Sequence, residues 1–443
     1  MDISIKIGKF AYKQKISVLL CELLLFYVLI PARGRLFGFP AMANLVLLVC
    51  FAGQFLLSKK IVQDIPRFCV VYIWISVFGI LIHFTDRGLV DNVISVLKVI
   101  APFYIIQVGI TTMEQFMTML KFIVKAFAVY GLFGIVETLT LVNVFDKITG
   151  TQVVYEHANS LRFGLARNRG MADVSINNGM LLCLVLCVAA YVLIYASKKE
   201  RKWYQVCYII IFVDTFLTLS RAIWMELVIT QIFIFFVLAP KSKWKVVKKI
   251  LLICMGGALL LLLIKPEMLK KITYIFTEMF SSTYDAVSGS DTAESSEMSY
   301  GVGHRFLLWK WVWEKTQGYL LFGTGYAIPF VYIASPTYVK KSIEVMWLYM
   351  LYHVGFVGLF GYIIFQIGCI VHTIKGHIRE KRIFEEKKVT FNYVMLVATV
   401  AYFITQFSCS AFEDMKFYYI MLALTFVYNK ICKQMLKAEV VRN

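Results

Sequence analysis

His304-Arg305-Phe306-Leu307-Leu308-Trp309-Lys310-Trp311-Val312-Trp313-Glu314-Lys315 lies in the one long polar segment of the chain, Pro266 to Ile343. That segment opens with Glu267-Met268-Leu269-Lys270-Lys271 and passes through a Ser-, Asp- and Glu-rich patch from Ser281 to Ser299. It closes with Phe322-Gly323-Thr324-Gly325-Tyr326 and Lys340-Lys341-Ser342-Ile343-Glu344. Nearly everything outside it is apolar, in runs long enough to cross a bilayer. A membrane protein that keeps one long soluble loop usually works through it.

The composition agrees. Of 443 residues, 60% are hydrophobic and only 16% are charged. A soluble globular chain is about 45–50% apolar and about 25% charged. Mean hydropathy is +0.72. Apolar runs fall at 16–32, 38–57, 68–85, 90–110, 121–141, 174–196, 203–220, 222–239, 248–265, 344–373, 390–410 and 415–431. Their length and continuity predict an all-α polytopic helix bundle of about twelve spans, since barrel strands are shorter and alternate. Three parts follow: an N-terminal membrane bundle at 1–265 with an external loop at 142–172, the long external loop at 266–343, and a C-terminal membrane part at 344–443.

The net charge of +19 does not indicate a nucleic-acid partner. The basic residues gather in short clusters between apolar runs: Lys6 to Lys15, Lys59-Lys60, Lys121, Lys198 to Lys202, Lys241 to Lys249, Lys375 to Lys388 and Lys430 to Arg442. Alternating spans put all of them on one side, as the positive-inside rule requires. Both termini are then cytoplasmic and the first apolar run is an uncleaved signal anchor. The ten cysteines lie in or beside apolar runs with no zinc or disulfide spacing. No Walker A loop, dinucleotide fingerprint or His-x-x-x-His pair is present, which argues against an ATP-driven pump and a metalloprotease.

Four sets of residues are candidates for chemistry. Arg221, in Thr218-Leu219-Ser220-Arg221-Ala222, stands between two spans with almost no loop. It either snorkels or works at the membrane surface. Asp214, two helical turns earlier, either holds it or serves a separate ion pair. Arg305 heads the Trp-rich stretch, whose apolar positions Phe306, Trp309, Val312 and Trp313 have helical spacing. Arg162, Arg167 and Arg169 form a third basic group, of the kind that grips phosphate in a bidentate manner. Glu344 begins a span. It is either a base at the span mouth or a helix N-terminal acid favoured by the dipole. His353, within that span, reads as a core histidine. Lys98, Lys125 and Glu137 lie inside spans and could pair with one another.

These motifs in this order resemble the O-antigen polymerase and O-antigen ligase family, which holds the Wzy-type polymerases and WaaL-type ligases. The resemblance rests on Arg169-Gly170 followed by Asn177-Asn178-Gly179, on Leu219-Ser220-Arg221, and on Arg305 with Trp309. Phe322-Gly323-Thr324-Gly325-Tyr326 and Glu344 through to Gly355-x-x-Gly358 complete it. It implies an integral-membrane glycosyltransferase of the C type. Such an enzyme moves glycan from undecaprenyl diphosphate at the external face of the bacterial cytoplasmic membrane, without metal or other cofactor.

The essential arginines of the family map to Arg221 and Arg305. Its ligases carry a histidine where this chain has Glu344, a departure that favours a polymerase with Glu344 as acceptor base. Arg162, Arg167, Arg169, Trp309 and Tyr326 would contact the substrate. Membrane lipid and a chain-length regulator are the partners the resemblance implies. The rivals are a ligase using a lipid A core acceptor and a flippase for lipid-linked oligosaccharide. A flippase should show two similar halves, and no internal repeat is visible.

Overall fold

The computed structural model describes residues 2–7, 10–29, 42–58, 66–82, 88–149, 161–162, 165–172, 174–238, 302–325, 328–335, 338–340, 343, 345–386, 389–407 and 415–442. It is an assembly of helices carrying short hairpins. In chain order the helices are α1 (Ile16–Leu29), α2 (Met42–Ser58), α3 (Arg67–Ile82), α4 (Gly88–Gly109), α5 (Met113–Thr140), α6 (Val144–Thr149) and α7 (Ser175–Tyr195). Then come α8 (Arg201–Leu217), α9 (Arg221–Leu238), α10 (Val302–Thr316), α11 (Met346–Ile383), α12 (Phe391–Thr405) and α13 (Met415–Arg442). Antiparallel hairpins pair β1 (Asp2–Ile7) with β2 (Phe10–Lys15), β3 (Leu161–Arg162) with β4 (Leu165–Ala166), and β5 (Tyr332–Ser335) with β6 (Tyr338–Lys340).

Helices occupy the predicted apolar runs, apart from 248–265, which lies outside the described residues. Three of them, α5, α7 and α11, are long and apolar enough to cross a membrane. α5 begins well before its apolar run because Thr112 caps it: the Thr112 hydroxyl accepts from Gln115 N–H while the Gln115 side chain returns to Thr112. α7 is apolar on every side, and every residue from Asn177 to Val192 is buried. Such a helix belongs at the centre, and it packs against α5, α8, α9 and α12.

The two ends of the bundle are held by different chemistry. At the basic end, Lys121 Nζ donates to both Glu200 oxygens at 3.0 and 2.9 Å. That hydrogen bond holds the Glu200 carboxyl below its usual range. There too, Glu380 accepts from the N–H groups of Phe391 at 3.0 Å and Asn392 at 3.1 Å, which caps α12. Tyr428 donates a further bond to Glu380.

α11 runs for 38 residues, from Met346 to Ile383. It is broken at Gly355, where φ is +65°. A break leaves carbonyls and amides without intrahelical partners, which is costly away from water. A loop fills it. The N–H groups of Thr324 and Gly325 donate to the carbonyls of Tyr352 at 2.8 Å and His353 at 2.9 Å. The N–H groups of Phe356 and Val357 donate to Leu320 at 2.8 Å and Leu321 at 3.1 Å. The loop can come this close only because Gly323, at φ +71°, and Gly355 have no side chains: a Cβ on either would strike the backbone of the other segment.

α10 packs against α11, with Trp313 edge-on to Phe356 at 6.3 Å, and Trp311 stacks on Tyr332 of β5 at 5.0 Å; Leu308, Trp311 and Val312 are buried, whereas Trp309 and Trp313 are each 45% exposed.

Gly355→Ala should destabilise the fold by about 1–3 kcal/mol or more, from the left-handed backbone and the lost loop contact. Thermal unfolding of the detergent-solubilised protein reads this as a lowered Tm, with Gly358→Ala as the milder neighbour.

Candidate functional site

The end of the bundle opposite the basic one collects the end of α5, the start of α7, the end of α8 and the start of α9. A buried polar network built on Asn168 joins them. Asn168 is wholly buried. Its N–H donates to the Leu217 carbonyl at 3.1 Å, and its Nδ2 donates to the Asp214 carboxylate. Its Oδ1 accepts from Gly170 N–H at 2.9 Å and Asn178 Nδ2 at 3.3 Å. Asn178 Oδ1 accepts from the Tyr130 hydroxyl at 2.7 Å, and that hydroxyl accepts from Met171 N–H at 3.0 Å.

Glu137 is also buried. It accepts from the N–H groups of Arg169 at 3.3 Å and Gly170 at 3.0 Å. Gly170 has φ +52°, and a side chain there would run into the Tyr130 hydroxyl. Gly134 leaves room for the carboxylate, since a Cβ at that position would meet Asp214 and Asn168.

This network corrects two expectations. Glu137 is held by backbone amides of the following loop. It lies about 18 Å along α5 from Lys125, at about 1.5 Å per residue, and so cannot reach that lysine. Asp214 bonds Asn168 and does not hold Arg221. Its role is to anchor the loop that carries Arg167 and Arg169.

The arginines stand around this network. Arg167 Nε reaches the Thr218 carbonyl at 3.5 Å, so its loop lies against the turn that leads to Arg221. Arg169 is ion-paired with Asp146 on α6. Burial raises the Asp146 carboxyl above its usual range, and the Arg169 guanidinium pulls it back. Asn143 fixes α6 here: its Nδ2 donates to the Gly170 carbonyl at 2.7 Å, and its Oδ1 accepts from Phe145 and Asp146 N–H at 2.8 and 3.1 Å. Arg169 therefore works within an internal pair, whereas the expectation was a substrate contact.

Arg221 is the first residue of α9. The reversal between α8 and α9 takes three residues because Leu219 adopts φ +50°. Trp224 stacks on Phe216 at 4.8 Å and donates from Nε1 to the Phe216 carbonyl at 2.8 Å, which locks the two helices together. Gly179 lets α9 approach, as its Cβ would press into Ile223. Arg221 is partly exposed, and among the described residues its side chain has no hydrogen bond or ion pair. A cation held at a helix N-terminus with its donors uncommitted is suited to an anionic ligand.

The remaining candidates are placed in part. Arg162 lies in β3 and Arg305 in the first turn of α10, with their side chains outside the described residues. Glu344 and Tyr326 lie outside them altogether. Trp309 is exposed on α10. His353, treated in the sequence as a core residue, is buried and tied to the break in α11: its Nδ1 shares a hydrogen with the Gly325 carbonyl at 2.8 Å, and its ring packs 4.3 Å from that of Tyr349. Sequence reasoning also missed Asn143, Asp146 and Asn168. The Asn177-Asn178-Gly179 motif was the one signal that led towards them.

Apolar helices long enough to cross a membrane, gathered in a bundle, are those of a helical membrane protein. Residues 206–363 match the family model described as O-antigen ligase (Wzy_C). The match spans Arg221, Arg305 and Glu344 and stops short of the Arg162 to Arg169 loop. No curated protein matches the chain.

Asn168→Ala should leave several buried groups unpaired, at about 1–3 kcal/mol for each, and lower the Tm markedly. Arg221→Ala should leave the Tm unchanged. A larger loss from Arg221→Ala would contradict this division of roles.

Proposed function

We propose that this protein is a polysaccharide polymerase of the bacterial cytoplasmic membrane. It joins undecaprenyl-diphosphate-linked oligosaccharide repeat units into capsular polysaccharide, exopolysaccharide or O-antigen at the external face. In this reading the twelve-span topology holds, both termini are cytoplasmic, and the arginine-bearing end of the bundle is external. Arg221 and Arg305 bind the donor diphosphate, and Glu344 activates or orients the acceptor hydroxyl.

The observation that carries the reading is Arg221 itself: a guanidinium at a helix N-terminus, held by a locked turn and uncommitted to any described residue, within the stretch that matches the family. When a glycan leaves a lipid diphosphate, negative charge grows on the leaving phosphate. A fixed guanidinium stabilises that charge and undergoes no change in protonation. Arg167, on the adjoining loop, extends the positive field, and the exposed Trp309 offers a ring face to sugar or interfacial lipid. A chain-length regulator is the protein partner this function calls for. The description of the matching family as ligase favours one second reading, transfer of finished glycan to a lipid A core.

Arg221→Ala and Arg305→Ala should each abolish long chains while leaving the amount of protein in the membrane unchanged. The measurement is gel profiling of surface glycan and undecaprenyl-linked intermediates in a deletion strain complemented with each variant. Single repeat units in place of long chains support the polymerase. Long lipid-linked chains that never reach lipid A point to the ligase, repeat units trapped at the cytoplasmic face to a flippase. Normal chains in both variants would sink the site assignment.

A further inference from the structure

Two cavities adjoin at the basic end of the bundle, opposite Arg221. One, of about 310 Å³, is lined by Ser58, Gln107, Thr111 and Lys430 among others. The other, of about 250 Å³, is lined by Lys15, Ser17, Gln54 and Leu57 among others. Ser58 and Val108 line both, so the two form one cleft. Its walls are the start of α1, the ends of α2 and α4, and α13. α4 packs against the other three. Tyr428, which donates to Glu380, lies two residues before Lys430 and fixes the cleft at this end.

The charge of the cleft has one sign. Lys15 and Lys430 are both exposed at its rim, and among the described residues no acidic side chain lines it. The rest of its polar lining is amide and hydroxyl, groups that donate to phosphate oxygens and exchange hydrogen bonds with alcohols. That lining is tied down. Gln54 Nε2 donates to the Ser17 carbonyl at 2.5 Å, which joins α2 to α1. Ser58 Oγ lies 3.2 Å from the Tyr104 hydroxyl, which joins α2 to α4.

The cleft also opens beside an apolar surface. Leu57 lines it and is 46% exposed, and Leu56 next to it is 73% exposed. On the outside of a membrane bundle such side chains meet acyl chains, which are as apolar as leucine. A lipid can therefore seat its headgroup in the cleft while its chains stay in the bilayer, whereas a soluble anion gains only the polar contacts. Basic pockets between membrane helices suit anionic headgroups in this way.

We propose that the cleft between α1, α2, α4 and α13 binds the phosphate of an anionic membrane phospholipid, with Lys15 and Lys430 as its charge partners. The bound lipid clasps these four helices at the end opposite Arg221, and its binding is independent of the transfer function proposed above.

The test uses the full-length protein, delipidated in a neutral detergent, with thermal unfolding measured after addition of phosphatidylglycerol, phosphatidylcholine or inorganic phosphate. A ligand that binds the folded state raises the Tm. Phosphatidylglycerol is expected to raise it by a few degrees, and phosphatidylcholine and inorganic phosphate to leave it unchanged. Lys15→Gln combined with Lys430→Gln should abolish the shift. Val108→Trp fills the junction of the two cavities without changing charge. It should abolish the shift too, and decides the matter if the double variant fails to fold. Lys198→Gln combined with Lys199→Gln removes exposed lysines of the same end that lie outside the cleft, and should keep the shift.

No shift of the wild type with phosphatidylglycerol overturns the proposal. An equal shift with inorganic phosphate overturns the lipid as the source of the phosphate. An equal loss in the Lys198 and Lys199 variant overturns the cleft as the site, because the basic end would then attract anionic lipid diffusely. A full shift in both the Lys15 and Lys430 variant and Val108→Trp places the lipid elsewhere and overturns it as well.

Discussion

Asn168 is a single buried amide whose every hydrogen-bonding group is engaged, and the arginine-bearing end of the bundle depends on it. Its bonds reach α7 through Asn178, α8 through Asp214 and Leu217, and the Gly170 turn that Glu137 of α5 grips. Polar groups excluded from water must be satisfied internally, and linked hydrogen bonds of this kind stiffen the segments they join. In the sequence Asp214 reads as the holder of Arg221 or a member of a separate ion pair, and Glu137 as a partner for Lys98 or Lys125. In the structure they anchor the loop that carries Arg167 and Arg169. The structural acids lie inside, whereas Arg221 is partly exposed at the start of α9.

The helices could be read from the sequence because apolar run length is a local property and membrane crossing requires it. Their pairing could not. The Asn177-Asn178-Gly179 motif identified a place of importance without revealing its reason: Asn178 serves Asn168 and Tyr130, and Gly179 admits Ile223. Glu137 found its partners in backbone amides, which carry no mark in the sequence. Arg169 was matched with a phosphate in the sequence, and Asp146, from a different turn of the same loop, reached it first.

The candidate site was readable to a similar degree. Arg221 stands where the sequence put it, at the junction of two helices, and the tightness of that junction comes from a left-handed Leu219 and a Trp-on-Phe stack that spacing does not reveal.

The break in α11 also bears on how the protein is made. Among the described residues, the carbonyls and amides freed at Gly355 are met by the Leu320–Gly325 loop, a tertiary contact that a lone helix in lipid does not have. In a growing chain that loop leaves the ribosome before α11 does. The segment is thus available as a splint by the time the broken helix reaches the bilayer. The order of synthesis and the order of need coincide. A circularly permuted chain that placed α10 and its loop after α11 would have to insert the break unsupported.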